Sequence, residues 1–161
     1  MEQLLSEVID RLEAVHRAID GVLADLPDEA LDWSPGPEMN SLAVLLAHTL
    51  GAERYWIGDV AGGEPSGRDR EAEFRTAGRT TADFAAQAQA TLAHSRTVLT
   101  RLTAADLVGV RTAPLFGQRV SAGWAILHGL EHTALHTGHM EITRQLWAHQ
   151  AQAEAEKASD A

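Results

Sequence analysis

Apolar residues repeat with the period of an α-helix in four long segments of this chain, which has 161 residues. The segments cover residues 2–25, 41–57, 81–102 and 121–149. In each of them apolar side chains recur three and four positions apart, which places them on one face of a helix. Such a face is stable in water only when it packs against other elements. The pattern therefore predicts an all-α fold, a four-helix bundle in a single domain.

The segments outside the four helices differ in composition. Residues 58–79 are rich in glycine and charged side chains and form a long connection between helices 2 and 3, with a short helix expected near Glu71–Arg75. A connection of this length is typical of a lid or a binding loop. Residues 151–161 contain alanine and glutamate but no apolar stripe. We therefore expect residues 1–150 to form the bundle and residues 151–161 to be a flexible C-terminal tail.

Histidines recur about once per turn on the fourth predicted helix, at the positions His128, His132, His136 and His139. At about 100° per residue, these four side chains fall within an arc of roughly 80°. The same arc contains or borders apolar residues, which predicts that it faces the core: Trp124, Leu135, Ile142 and Leu146. Each buried imidazole needs a partner, and histidine is the commonest metal ligand. The stripe therefore predicts a divalent-metal site.

Spacing alone leaves the choice of ligands on this helix open. His128 and His136 lie roughly 12 Å apart along the axis, too far to share one ion. Two ligands of one helix can therefore come from His128/His132, His132/His136 or His136/His139, and a third should come from another helix. Residues 128–132 also match the H-x-x-E-H pattern of some zinc proteases, but so short a match is weak in a chain with 8 histidines.

The remaining histidines and one acidic residue are harder to place. His48 lies beside the apolar face of the second helix, and spacing does not decide whether it is a ligand or a boundary residue. His16 and His94 are expected at or near the surface. Glu53 falls among leucines, so we expect it to pair with an arginine or to contact the metal site.

The composition excludes several functions. The formal net charge of −10 argues against nucleic-acid binding, because a phosphate backbone would be repelled. Without a long apolar run or a signal-peptide pattern, the chain is expected to be cytoplasmic and not to bind a membrane. Cysteine is absent, so any thiol chemistry requires a thiol from outside the protein.

Three stretches of the chain resemble the DinB-like superfamily of metal-binding four-helix-bundle proteins. They are Asp32-Trp-Ser-Pro-Gly-Pro, then Ser41 to Trp56 with His48, then Glu131-His132-Thr-Ala-Leu-His136-Thr-Gly-His-Met. The resemblance covers residues from about 4 to 149. The superfamily includes metal-dependent hydrolases and S-transferases that use mycothiol or bacillithiol. The run Arg68-Asp-Arg-Glu-Ala-Glu-Phe resembles actinobacterial members, for which mycothiol is the natural thiol.

This resemblance implies a metal triad of His48, His132 and His136, holding zinc, nickel, iron or manganese. Three neutral imidazoles leave the ion positively charged with an open position, and such an ion converts a bound thiol into the more nucleophilic thiolate. We therefore predict transfer of a mycothiol-like thiol onto a small electrophile, with Arg68 or Arg70 as candidates to hold the thiol. The alternatives are a hydrolase on the same triad and a non-catalytic metal-binding helical dimer. The resemblance also implies a homodimer.

Overall fold

The computed structural model describes residues 2–159, and within them the all-α bundle predicted from the sequence is confirmed. Four long elements form the bundle: α1, α3 with a π-helical continuation, α5 and α7. Short helices and one antiparallel hairpin lie in the connections. The elements in chain order are α1 Glu2–Leu23, α2 Glu29–Asp32, α3 Leu42–Glu53, the π-helical segment Arg54–Ala61, α4 Arg70–Glu73, α5 Thr81–Arg101, α6 Ala104–Val108, β1 Val110–Thr112, β2 Arg119–Ser121 and α7 Ala122–Ser159.

Hydroxyl side chains set the beginnings of the bundle helices. The Ser41 hydroxyl accepts a hydrogen bond from the backbone N–H of Val44 at the start of α3. Thr80 and Asp83 form a reciprocal capping box at the start of α5. Ser121 accepts from the N–H of Trp124 at the start of α7. These side chains satisfy N–H groups that the first helical turn leaves without partners. The helix starts are therefore encoded locally in the sequence.

The second bundle element is longer and more deeply buried than its sequence pattern predicts. Every residue of α3 except Gly51 is buried, so α3 packs against neighbours on all sides. The helix does not end near Ile57 but continues to Ala61 with π-helical hydrogen bonding. The connection to α5 is shortened accordingly and contains α4, close to the short helix that the sequence predicts. The N–H of Glu64 donates to the carbonyl of Gly58 where the π-helical segment ends.

A layer of polar side chains divides the bundle core into two apolar clusters. One cluster contains Leu12, Tyr55 and Val98, and the other contains Leu31 and Leu46 with their neighbours. Each of the four long elements contributes one polar residue to the layer between them: His16, Glu53, Ser95 and Thr133. All of these residues are buried, and the layer therefore ties the four elements to one another through side chains.

Glu53 is the centre of this polar layer. Its Oε2 lies 2.8 Å from Nε2 of His16. Its Oε1 accepts a 2.7 Å hydrogen bond from Ser95, and Oε2 accepts one of 3.4 Å from Thr133. The expectation that His16 lies at the surface is therefore wrong, because the carboxyl group of Glu53 provides the partner that a buried imidazole requires. Glu53 itself pairs with histidine and hydroxyl groups and not with an arginine.

One face of α7 is exposed, contrary to the expectation that its arc faces the core. Its apolar side chains are between 41% and 57% exposed: Trp124, Leu135, Ile142 and Leu146. The helix is rotated so that Thr133, Thr137 and Met140 are buried and this arc borders solvent. Residues 151–159, expected to be a flexible tail, continue α7 with almost entirely exposed side chains, and residues 160–161 lie outside the described residues.

A β-hairpin lies between α6 and α7, in a segment outside the four helices that the sequence predicts. Val110 pairs with Ser121 and Thr112 pairs with Arg119 in antiparallel register. The backbone N–H of Leu115 donates to the hydroxyl of Tyr55, which anchors the hairpin turn on the π-helical segment. No helix within residues 2–159 combines the length and the apolar character needed to cross a membrane.

Candidate metal centre

The structure brings three imidazoles together where α3 packs against α7. His48 projects from α3, and His132 and His136 project from successive turns of α7. One ligand nitrogen from each residue can be chosen so that all three lie within 4.8 Å of one another. The ring centroids of His132 and His136 are 4.4 Å apart, and that of His48 is 5.0 Å and 5.2 Å from them.

A glycine permits the close approach of α7 to the second bundle element. A Cβ atom at Gly129 would lie 3.2–3.3 Å from side-chain atoms of Ile57 and Trp56. Such contacts are tighter than normal packing, so a larger residue would push the helices apart. Gly129 lies one turn before His132, and it therefore helps to keep that imidazole within reach of His48.

The ring nitrogens of the three histidines have different environments. Nδ1 of His132 is buried and finds no hydrogen-bond partner within the described part of the chain. Nδ1 of His136 lies 3.3 Å from Nδ1 of His139, whose side chain is exposed. Nδ1 of His48 lies 3.0 Å from Oε2 of Glu73. A buried nitrogen without a partner is costly, and coordination of a metal ion would satisfy it.

Burial and the neighbouring histidines keep the two α7 histidines of the triad, His132 and His136, neutral. Burial, followed by the neighbouring His136 and His48, lowers the pKa of His132 from 6.5 to about 3. Burial, followed by His48 and His139, lowers the pKa of His136 to about 4. The neutral imidazole is the form that binds metal ions. The residues present therefore fit a divalent cation with three nitrogen ligands.

Acid is expected to destabilise the metal-free protein through these two histidines. Their pKa values are lower in the folded chain than in the unfolded chain, so only the unfolded chain takes up their protons as the pH falls below about 6.5. The stability that depends on this difference is complete above pH 6.5 and is lost as the pH falls towards 4. Urea unfolding of the metal-free protein at pH 7.5 and pH 5 measures it. Replacing His136 by glutamine should reduce the loss, and an equal loss in this variant would contradict the assignment.

Glu73 and Arg68, both from the connection between α3 and α5, contact the centre. Nε of Arg68 donates to Oε1 of Glu73 over 2.6 Å, and Nη2 donates to Oε2 over 2.7 Å. Burial by itself raises the pKa of Glu73, but the hydrogen bonds from Arg68 and His48 outweigh it, and the pKa is lowered. Sequence reasoning missed Glu73, because its contact with His48 spans 25 positions and no spacing rule connects a loop to a buried helix.

The two arginines predicted to hold a cofactor have different surroundings. The Arg68 side chain is only 4% exposed and is occupied by Glu73. The Arg70 side chain is exposed, with Cζ 4.8 Å from the ring centroid of Phe74. The Phe74 ring in turn lies 4.8 Å from the ring of His48. Arg70 is therefore the more accessible of the two to a molecule at the centre.

Aromatic side chains extend the centre along α7. The His128 ring stacks on the Trp124 ring, with 4.8 Å between the ring centroids. It is nearly perpendicular to the Trp56 ring, whose centroid is 4.7 Å away. The centroid of the His128 ring is 6.0 Å from that of His132. His128 is outside the group of three nitrogens, and Glu131 is exposed, so the H-x-x-E-H residues do not converge on one point. His128 thus lies between the triad and exposed aromatic surface.

Comparisons with known proteins support a family assignment. The profile of the mycothiol-S-transferase family matches residues 7–148. A conserved protein of Enterococcus faecalis has a similar structure, with a TM-score of 0.68 and 18% identity over 92% of this chain and 97% of that chain. A DinB-like protein of Bacillus cereus has a TM-score of 0.66 and 16% identity over 84% of both chains. For a DinB-like protein of Bacillus subtilis the TM-score is 0.66 and the identity 14%, over 86% of this chain and 90% of that chain. No curated protein sequence matches the chain.

Proposed function

Because the chain belongs to the mycothiol-S-transferase family, within the DinB-like superfamily, we propose that it transfers a mycothiol-like thiol onto a small electrophile. The reaction would use a divalent metal ion held by His48, His132 and His136. The observation that carries this proposal is the convergence of these three imidazoles from two helices at the packed α3–α7 interface.

The three ligands and their surroundings suit thiol activation. A divalent ion, when bound, supplies positive charge that favours thiolate over thiol and so creates the nucleophile. Neutral imidazoles do not cancel that charge, whereas carboxylate or thiolate ligands would reduce it. The low pKa values of His132 and His136 maintain the neutral form at physiological pH. The chain has no cysteine that could compete for the ion or the electrophile.

Other side chains would position the two substrates. We propose that Arg70, exposed next to Phe74, contacts the polar part of the thiol. A cleft of about 230 Å³ includes His139, which contacts His136 and so connects the cleft to the centre. Met39, Leu45 and Ile142 also line this cleft and suit an apolar portion of the electrophile. The thiol would lose its proton to solvent and its sulfur would form a bond to the attacked carbon, while the leaving group departs with the electron pair of the bond that breaks.

Thiol conjugation is the test of this function. The metal-loaded protein is incubated with a panel of alkylating electrophiles, with mycothiol, with cysteine or without thiol, and the thioether product is measured by mass spectrometry. We expect product formation well above the uncatalysed rate with mycothiol, and its loss after removal of the metal by a chelator. Conversion of the electrophile to its hydrolysis product without any thiol, detected in the same mass spectra, would indicate a hydrolase. Stoichiometric metal without turnover on any electrophile would indicate a non-catalytic metal-binding protein.

We further propose that the protein is a cytoplasmic homodimer. The exposed apolar side chains on α7 support a protein contact, because a row of such side chains is unfavourable in water: Trp124, Leu127, Leu135, Ile142 and Leu146. The net charge of −10 supports the absence of nucleic-acid binding. Sedimentation equilibrium would measure the oligomeric state directly, and a monomer at micromolar concentration would contradict the dimer.

A further inference from the structure

We infer that Glu73 is a positioning residue for the metal centre, because it fixes the proton of His48 on Nδ1 and leaves Nε2 free to bind an ion. This inference rests on the proposed function, because it concerns the same metal centre. It makes the connection between α3 and α5 a part of that centre, although no metal ligand comes from the connection.

The hydrogen-bond geometry determines the tautomer. An ionised carboxylate has no hydrogen to donate and can only accept. Oε2 of Glu73 lies 3.0 Å from Nδ1 of His48, so this nitrogen must be the donor and must carry the proton. Nη2 of Arg68 lies 3.4 Å from the same Nδ1, a longer contact, and two N–H groups cannot hydrogen-bond to each other. Glu73 is therefore the partner of His48, and the lone pair of the imidazole is on Nε2.

Arg68 keeps the Glu73 carboxylate in place and ionised. Its two N–H groups bind the two oxygens of Glu73 in the bidentate arrangement, which is the strongest and most directional pairing of a guanidinium with a carboxylate. The Arg68 side chain is also buried, with its guanidinium 5.5 Å from the centroid of the Tyr55 ring. Arg68 therefore acts on the centre through Glu73.

Gly51 provides the space in which Glu73 reaches His48. A Cβ atom at Gly51 would overlap Oε1 of Glu73 and contact its Cδ at 2.9 Å. Gly51 is also the one residue of α3 that is not buried. An alanine here would displace the Glu73 carboxylate without removing any polar group. This gives an independent way to separate Glu73 from His48.

Such carboxylate–histidine pairs orient metal ligands and increase their basicity, and their loss typically weakens metal binding about 10–100-fold. We therefore expect Glu73→Gln and Gly51→Ala to weaken zinc binding by about this factor, measured by competition with a chromophoric chelator. Glu71→Gln is the matched control, because Glu71 lies on the same short helix and its side chain is exposed. Its zinc affinity should equal that of the wild type.

The tautomer itself is measured in the metal-free protein by two-bond ¹H–¹⁵N correlation spectra of the histidine rings. We expect His48 to carry its proton on Nδ1 in the wild type and in Glu71→Gln. Because glutamine can both donate and accept, Glu73→Gln should contain both tautomers. A wild-type proton on Nε2, or unchanged zinc affinity in both Glu73→Gln and Gly51→Ala, would overturn the inference.

A double variant separates the loss of Glu73 from the effect of leaving Arg68 unpaired. Glu73→Gln leaves the buried Arg68 without its carboxylate, so the double variant Arg68→Leu/Glu73→Gln is also measured. It removes the unpaired charge and should share the loss of zinc affinity; wild-type affinity in it would overturn the role of Glu73. The spectra need no substrate. If they give the expected tautomers while no electrophile is ever conjugated, the proposed function fails and the role of Glu73 remains.

Discussion

Replacing His132 or His136 by alanine is expected to abolish stoichiometric binding of a divalent metal ion. Each variant leaves at most two of the three converging imidazoles. Since loss of a mere hydrogen-bond partner of a ligand weakens binding about 10–100-fold, loss of a ligand should cost more than about 100-fold. Isothermal titration with zinc and elemental analysis of the purified variants measure this directly.

The other histidines provide controls and a test of the third ligand. His149→Ala and His94→Ala should bind metal as the wild type does, since neither residue belongs to the group of three nitrogens. His16→Ala is a poor control, because His16 is buried against Glu53. Normal metal binding by His48→Ala would show that the third ligand is wrong. Normal binding by both His132→Ala and His136→Ala would contradict the centre altogether.

Replacing Glu53 by alanine is expected to give a large loss of stability, because each buried polar group left without a partner costs about 1–3 kcal/mol. The substitution leaves His16 and Ser95 without their common acceptor in the middle of the bundle. Thr133 also loses its contact with Glu53 but keeps its 2.8 Å hydrogen bond to the carbonyl of Gly129. Each of these groups is buried, and water cannot replace the lost bond without entering the core. Urea or thermal unfolding of the metal-free variant measures the loss.

A surface pair supplies the comparison for Glu53. Glu13 and Arg96 form an ion pair between α1 and α5 in which Arg96 is exposed and Glu13 is partly exposed, so Glu13→Ala should cost less than about 1 kcal/mol. His16→Ala should destabilise the protein as well, and the combined variant should lose less than the sum of the two single losses, because the two residues share one interaction. Additive losses, or a loss for Glu53→Ala no greater than that for Glu13→Ala, would show that the polar layer does not stabilise the bundle.

Much of the centre was accessible from the sequence because histidines four residues apart share a helix face. The period placed four histidines on one face without choosing among them. The resemblance to DinB-like proteins selected His132 and His136 and added His48. The structure brings these three together. The direction in which the histidine-bearing arc of α7 points could not be derived from the sequence. Period alone fixes angles within one helix, and the rotation of that helix against its neighbours depends on packing, here on Thr133 and Met140 facing inward.

Sequence reasoning misplaced the residues whose hydrogen-bond partners lie on other helices. His16 lies on a boundary of its helix pattern and was expected near the surface. It is buried, because the carboxyl group of Glu53 on another helix is its hydrogen-bond partner. Glu53 was noticed as unusual among leucines, yet its partners come from three other elements. Such contacts join residues 37 to 80 positions apart. A local pattern contains no information on which polar groups meet at that range.

The sequence by itself determined the helices, their approximate limits and the presence of several imidazoles on one of them, since these follow from side-chain period and capping chemistry within a few residues. Only the tertiary structure decided that Glu73 approaches His48, that Arg68 serves Glu73, and that a polar layer crosses the core. The reason is physical: helix geometry is set by neighbouring residues, whereas the partner of a buried polar group is set by how the helices and their connections pack.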